Sequence, residues 1–433
     1  MKRLIKKVAK GVFQIIEKLF PDLIKKLYFY LKDKDLTFYN ITEISENVQL
    51  SIENVSEKQV KTQNNDYYNH VFTKKENIIV NTNKMDIAFI IPEPICGSGG
   101  HRNFYRAIKY LREFGHDMTV YYFQTTEPAD VVKQRVSEWF YDMVDIPYIC
   151  YDGALGYHDA VVATWWETAY MLRKNMHKVK HGFYFVQDFE PAFYPICSNY
   201  ILAENSYRLG LAHICSGKWC KDFLVKKYQA EAEYFQFPLD NGIYNIKFPR
   251  TKRNKNIIFF AKPDLDRRCC ELGIMALREL HRINPDVEII LFGSDHLKQS
   301  HVDFPATLLG LLPTLGDLAN LYRNADLGLV FSTTNPSLVP FEMLSCGCPV
   351  ADLDLEDALS KYGDAKDNVF LCSLEPLKMA EQINAILGDK DLLTHKANNG
   401  REWVLKSFPT EIEMAHNIEK MIQNKFNKGA IAL

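Results

Sequence analysis

The stretch DLGLVFSTTNPSLVPFEMLSCGCPVAD, residues 326–352, decides the fold. Its first part, Asp326–Phe331, is a short apolar run of strand length. A polar turn through Thr334, Asn335 and Pro336 follows, and then a segment of helical period, Ser337–Cys346, stopped by Gly347. Pro340 sits in the first turn of that helix, where a missing N–H costs little. A second apolar run, Cys348–Asp352, reads as another strand. Strand, helix and strand at this spacing form a parallel pair with the helix covering one face.

The same alternation extends on both sides. Upstream lie a strand at Asn256–Ala261, a helix at Arg267–Arg282, and a strand at Val287–Phe292 ending in Gly293-Ser294-Asp295. A helix at Leu315–Asn324 follows, with Leu315, Leu318, Ala319 and Tyr322 on one face. Downstream, Pro376–Lys425 reads as consecutive helices. An independent series begins at Asp86–Ile91, turns through Cys96-Gly97-Ser98-Gly99-Gly100, and continues as a helix over His101–Phe114 closed by Gly115. Strands are expected at Met118–Phe123, Ala160–Thr164, Gly182–Val186 and Leu211–Cys215. The fold class is therefore α/β, with two Rossmann-like doubly wound domains facing a central cleft and a hinge near 241–255. The expected domains are an N-terminal extension (1–83), a first Rossmann-like domain (84–245), and a second (246–410). A final helix (411–433) is expected to pack back toward the first. Ligands of such sheets sit beyond the carboxyl ends of the strands.

Composition limits the alternatives. At about 150 residues per domain, 433 residues hold two or three domains. With 47% apolar and 24% charged residues the chain reads as globular, and a formal net charge of −2 gives no reason to expect a nucleic-acid partner. The 10 cysteines form no Cys-x-x-Cys pair and the 12 histidines are dispersed, so packed thiols and no metal are expected. No apolar run is long enough to span a bilayer. Near the start, Leu4, Val8, Val12, Ile15, Ile16, Leu19 and Phe20 recur at helical spacing among Lys2, Arg3, Lys6, Lys7, Lys10 and Lys18. A basic amphipathic helix of this kind (1–36) suits an anionic membrane surface, or docking on the protein itself or a partner subunit. Residues 47–83 read as a polar tether. The oligomeric state, a homo-oligomer included, stays open.

The candidate chemistry gathers at strand ends. Gly99 and Gly100 let backbone approach a phosphate or sugar at a helix start, and His101 can hydrogen-bond either. A dinucleotide fingerprint is incomplete: Arg102 replaces its third glycine, and the next strand ends in Tyr122-Phe123-Gln124 without an acid. In the second half, the N–H groups of Ser337, Leu338 and Val339 face whatever anion lies above the strand. Glu342, one turn on, is placed to accept hydrogen bonds from a ribose diol, with Gly293 assigned to the same nucleoside site. Lys262, Arg267 and Arg268 supply three cations after a strand, a diphosphate clamp or else solvated loop charges. In the first half, Asp188 and Glu190 can hold an acceptor hydroxyl or donor sugar, Asp188 as base, or can simply cap a turn. Trp165 and Trp166 offer faces for a sugar, with Trp166 assigned to that role, or belong to the core.

These residues carry a resemblance. PSLVPFEMLSCGCPV (336–350) resembles the donor-binding signature of family 4 glycosyltransferases of the GT-B fold. SGGHRNFYRAIKYLREFGH (98–116), FYFVQDFEPAFYP (183–195), LAENSYRLGLAHICSG (202–217), FQFPLD (235–240) and KPDLDRRCCELGIMAL (262–277) are similar to bacterial rhamnosyltransferases of the WsaF type, as is LANLYRNADLGLVFSTTNPSLVPFEML (318–344). The resemblance runs over about 85–410 and does not reach residues 1–83.

It implies transfer of a sugar, L-rhamnose from dTDP-L-rhamnose foremost, to a growing surface polysaccharide or lipid-linked oligosaccharide, with retention and no obligatory metal or cofactor. It assigns Lys262, Arg267 and Arg268 to the diphosphate, Ser337, Leu338 and Val339 to the phosphate-facing helix start, and Glu342 to the ribose. Gly99, Gly100 and His101 match the loop facing the phosphates and the acceptor, with His101 and Asp188 the candidate catalytic residues, 84–245 on the acceptor side and 246–410 binding the nucleotide sugar. In two places the chain departs from the family pattern. Lys262 stands where arginine is usual, and Thr334 where the broader family has a second glutamate. The implied location is cytoplasmic, peripheral on the inner face of the plasma membrane. The alternatives are a nucleotide-sugar epimerase or phosphorylase of the same fold, or a non-catalytic donor-binding subunit of a polysaccharide synthase.

Overall fold

The computed structural model describes residues 84–430 apart from 144, 249, 251–254 and 364–366. The basic amphipathic stretch and the tether at 1–83 lie outside the described residues.

Two parallel sheets organise the chain. The first has seven strands in the order β3-β2-β1-β4-β5-β6-β7. These are β1 (Asp86–Pro92), β2 (Asp117–Phe123), β3 (Tyr148–Cys150), β4 (His158–Ala163), β5 (Val179–Val186), β6 (Ala212–Ser216) and β7 (Ala232–Phe235). Its helices are α1 (Gly99–Glu113), α2 (Ala129–Trp139), α3 (Trp166–Lys174), α4 (Ser198–Ser206) and α5 (Gly217–Tyr228). The second has six strands in the order β10-β9-β8-β11-β12-β13. Its strands are β8 (Asn256–Phe260), β9 (Glu288–Phe292), β10 (Thr307–Leu308), β11 (Leu327–Leu329), β12 (Val350–Leu353) and β13 (Phe370–Cys372). The helices α6 (Cys270–Ile283), α7 (Leu315–Arg323), α8 (Val339–Ser345), α9 (Ala358–Lys361), α10 (Pro376–Gly388) and α11 (Lys390–Ser407) complete this lobe.

The apolar runs read as strands because helices cover both faces of each sheet. Ile87, Phe89 and Ile91 enter one core of the first lobe, Ala88 and Ile90 the other, and none of the five is exposed. Strand order reverses beside β1 in the first sheet and beside β8 in the second, which opens a crevice at each switch point. The last helix, α12 (Glu411–Ala430), returns to the first lobe. Met414, Ile418 and Ile422 complete its core against α1, and Glu411 pairs with Arg106 at 2.9 Å.

Helix α8 is shorter than its sequence period suggests. It starts at Val339 rather than Ser337, with Leu338 capping it in helical geometry and Pro340 in its first turn. Its own ladder opens with the N–H groups of Phe341 and Glu342, both donating to Leu338 O. The N–H groups of Ser337, Leu338 and Val339 therefore precede that ladder. Among the described residues no helix is long and apolar enough to cross a membrane.

Candidate functional site

The second lobe presents its chemistry at the ends of β8, β9 and β11. After β8, Lys262 extends to donate to Gly293 O at 2.9 Å. Gly293 has φ +103, and a Cβ there would meet the Phe260 ring at 2.6 Å, so only glycine fits. The expected cation and nucleoside glycine are thus neighbours. Glu342 lies half-buried on α8, facing the hydroxyls of Tyr244 and Tyr322, and burial pushes its carboxyl up to about 7. An acid held near neutrality beside two phenols is suited to hydrogen-bond a diol.

Arg268 departs from the expected clamp. Its guanidinium is 5% exposed and donates to Ser332 Oγ and, at 3.1 Å, to Asn335 O. Burial lowers its pKa. Nearby, Lys361 donates to Ser332 O at 2.7 Å, and buried Asp352 accepts from Ser332 N–H at 3.0 Å. Arg268 is committed to holding the 332–335 turn, because a buried guanidinium must satisfy its donors locally. Lys262 and Arg267 remain as cations toward the cleft.

Arg267 meets the first lobe. Its Nε donates to Asp188 Oδ2 at 3.0 Å, and its guanidinium lies 4.2 Å from the centre of the Phe193 ring. Asp188 is fully engaged. Its Oδ1 accepts from Phe189 N–H at 2.8 Å and from Asn335 N–H at 3.1 Å, while Arg268 Nη2 lies 4.0 Å from Oδ2. Asn335 Nδ2 completes the join, donating to Gln187 O at 2.8 Å and to Ser216 O at 3.0 Å. Asp188, expected as a base, is here the acceptor that fastens the two lobes together. The expectation missed Asn335, whose Asn-Pro context reads as an ordinary turn.

In the first lobe, Ser98 caps α1 by accepting from His101 N–H, and Gly100 O accepts from Gln187 Nε2 at 3.1 Å. Gly100 is close to this amide: a Cβ would sit 3.3 Å from Gln187 Nε2. The His101 ring is 7% exposed, its Nδ1 lies 3.0 Å from Ser98 Oγ, and it stacks on Tyr105 and Phe140. Burial lowers its pKa, which keeps the ring neutral. The ring packs against Tyr105 and Phe140 at the start of α1.

Two further expectations are corrected by burial. Glu190 is 3% exposed and accepts from Trp166 N–H at 2.7 Å, capping α3, while burial raises its pKa to about 8. Trp166 is buried too, and its Nε1 donates to Tyr194 Oη at 3.0 Å. Both are used internally, so neither offers a face or an oxygen to a sugar. Among the described residues no group of three or more His, Cys, Asp or Glu is placed to hold a metal.

Two parallel doubly wound lobes, with charged and polar groups at facing strand ends, define the GT-B fold. Anabaena HepE, solved in complex with UDP and glucose, superimposes with a TM-score of 0.59 at 16% identity, over 78% of this chain and 99% of that one. Sucrose-phosphate synthase from Thermosynechococcus elongatus gives 0.58 at 14% identity, over 79% and 99%. The WsaF N-terminal domain model matches residues 151–215, and the WsaF C-terminal domain model matches 255–384. The two models match in chain order, the N-terminal domain before the C-terminal one. The O-antigen biosynthesis protein RfbC of Myxococcus xanthus is 33% identical over 199 residues, which are 45% of this chain and 16% of that protein. The chain thus spans about a sixth of that relative's length.

Proposed function

We propose that the protein is a glycosyltransferase that moves a sugar from a nucleoside diphosphate to a growing surface polysaccharide of the O-antigen kind. One observation carries this: Lys262 and Arg267 follow β8, where Arg267 reaches Asp188 of the first lobe, and Glu342 lies on α8 of the same second lobe. Anion-binding and diol-binding groups are spaced there as a nucleoside diphosphate requires. Glu342 holds the ribose, with Gly293 leaving room beside it. Lys262, Arg267 and the N–H groups of Ser337, Leu338 and Val339 stabilise the diphosphate as the sugar bond breaks. The resemblance to rhamnosyltransferases supports dTDP-L-rhamnose as donor and retention as outcome. Transfer at the cytoplasmic membrane face suits the basic sequence of residues 1–36.

The test is a panel of dTDP-, UDP- and GDP-sugars offered to the full chain, read as binding and slow hydrolysis. Selective hydrolysis of dTDP-L-rhamnose supports the donor assignment, and selective hydrolysis of another donor reassigns it. The engagement of Asp188 and Arg267 with each other favours one competing reading, a subunit that binds donor without turnover. It predicts binding across the same panel with no hydrolysis and no transfer.

A further inference from the structure

The carboxyl edge of the first sheet carries groups that the donor site does not use. Trp165 caps α3 in extended geometry, at φ −151 and ψ 154, which sends its side chain away from that of buried Trp166. Its ring is half-buried and stacks on Phe193 with centroids 5.6 Å apart and planes inclined by 15°. Phe193 is the ring that the Arg267 guanidinium engages from the other lobe. The aromatic pair therefore leads to the cation of the donor site.

Polar groups border the same edge. Gln124, exposed at the end of β2, has φ +72, a left-handed conformation that side chains rarely adopt. Strain of this kind persists where the surroundings hold a residue for use, and it clusters at ligand sites. The Gln124 Nε2 donates to Glu167 Oε2 at 3.1 Å, and Glu167 lies in the first turn of α3, two positions after Trp165. An aromatic face beside a paired amide and carboxylate matches a pyranose, which has an apolar C–H face and a rim of hydroxyls.

We infer that Trp165, Phe193, Gln124 and Glu167 form the subsite for the terminal hexopyranose of the acceptor glycan. The pyranose stacks on Trp165, its hydroxyls bond Gln124 and Glu167, and its reacting edge points toward Arg267 and the donor. This assignment rests on the proposed glycosyl transfer. It moves sugar contact from buried Trp166 and Glu190 to half-buried Trp165 and Glu167 and exposed Gln124.

The test is saturation-transfer NMR on the full chain with methyl hexopyranosides, including methyl α-L-rhamnoside. Saturation transfer to at least one pyranoside is expected. Trp165→Ala should weaken it about tenfold, while Trp165→Phe, which keeps an aromatic face, should retain most of it. Glu167→Gln, at a half-exposed position, should weaken binding without unfolding the chain. Absence of saturation transfer in the unaltered protein overturns the subsite, as does equal transfer in Trp165→Ala. Titration of the same samples with dTDP and UDP separates the two failures. Nucleoside-diphosphate binding with Trp165-independent pyranoside binding sinks the subsite alone, and absence of nucleoside-diphosphate binding counts against the donor site itself.

Discussion

Replacing Asp188 with asparagine should move two observables in opposite directions. The substitution keeps Oδ1, which accepts from Phe189 and Asn335 N–H, and so preserves the turn that joins the lobes. It removes the charge at Oδ2, 3.0 Å from Arg267 Nε and 4.0 Å from Arg268 Nη2. A hydrogen bond to a charged group contributes about 1.5–3 kcal/mol. Side chains only 16% and 10% exposed are little screened, so a loss near the middle of that range, about 2 kcal/mol, is expected in the unfolding free energy. A nucleoside diphosphate, by contrast, must take Arg267 from Asp188. With that competitor neutral, its binding should tighten by about 1.4 kcal/mol, or tenfold. Urea unfolding and calorimetric titration with dTDP and UDP read the two effects. Weaker nucleoside-diphosphate binding in Asp188→Asn would falsify the exchange, because it would mean that the carboxylate supports the ligand.

Arg268→Ala removes a buried guanidinium from Ser332 and Asn335, at a cost of about 3 kcal/mol. It should weaken nucleoside and nucleoside-diphosphate binding alike, unlike Lys262→Ala, which should affect the diphosphate selectively. Glu342 should make donor binding depend on pH. With its carboxyl at about 7, it is protonated below that pH and loses acceptor strength, so affinity should rise about fivefold from pH 6 to pH 8. Glu342→Gln should flatten the profile, and an unchanged slope would count against ribose contact. Glu190, raised to about 8 in the fold, has the ordinary low value when unfolded. The unfolded chain therefore releases this proton first, so stability is fullest below about pH 4 and declines as pH rises toward 8. Glu190→Gln keeps the acceptor for Trp166 N–H and should remove the Glu190 share of the decline in urea melts at pH 5 to 8, leaving the share that Glu342, raised to about 7, contributes.

Much of the fold is legible in sequence because buried parallel strands are apolar on both faces. DIAFIIP at 86–92 and NIIFF at 256–260 are such runs. The edge strands Tyr148–Cys150 and Thr307–Leu308 are three and two residues long, too short for any period to register. The site divides along similar lines. Lys262, Gly293 and Glu342 owe their places to local strand–helix turns, and their roles follow from spacing. The Asp188 carboxylate instead finds Arg267 and Asn335, 79 and 147 positions away, and no local pattern reports that pairing. Trp165 and Trp166 show how little separates exposure from burial. One residue of helix register, set by where α3 begins, decides which ring faces the core.

The most direct measurement is calorimetric titration of the full chain with dTDP and with thymidine, repeated with Lys262→Ala/Arg267→Ala. The arrangement of cations at the cleft predicts dTDP binding about tenfold or more tighter than thymidine, with the advantage lost in the double variant. Equal affinity for the two ligands in the unaltered protein, or an advantage that survives removal of both cations, would contradict a diphosphate site in this cleft.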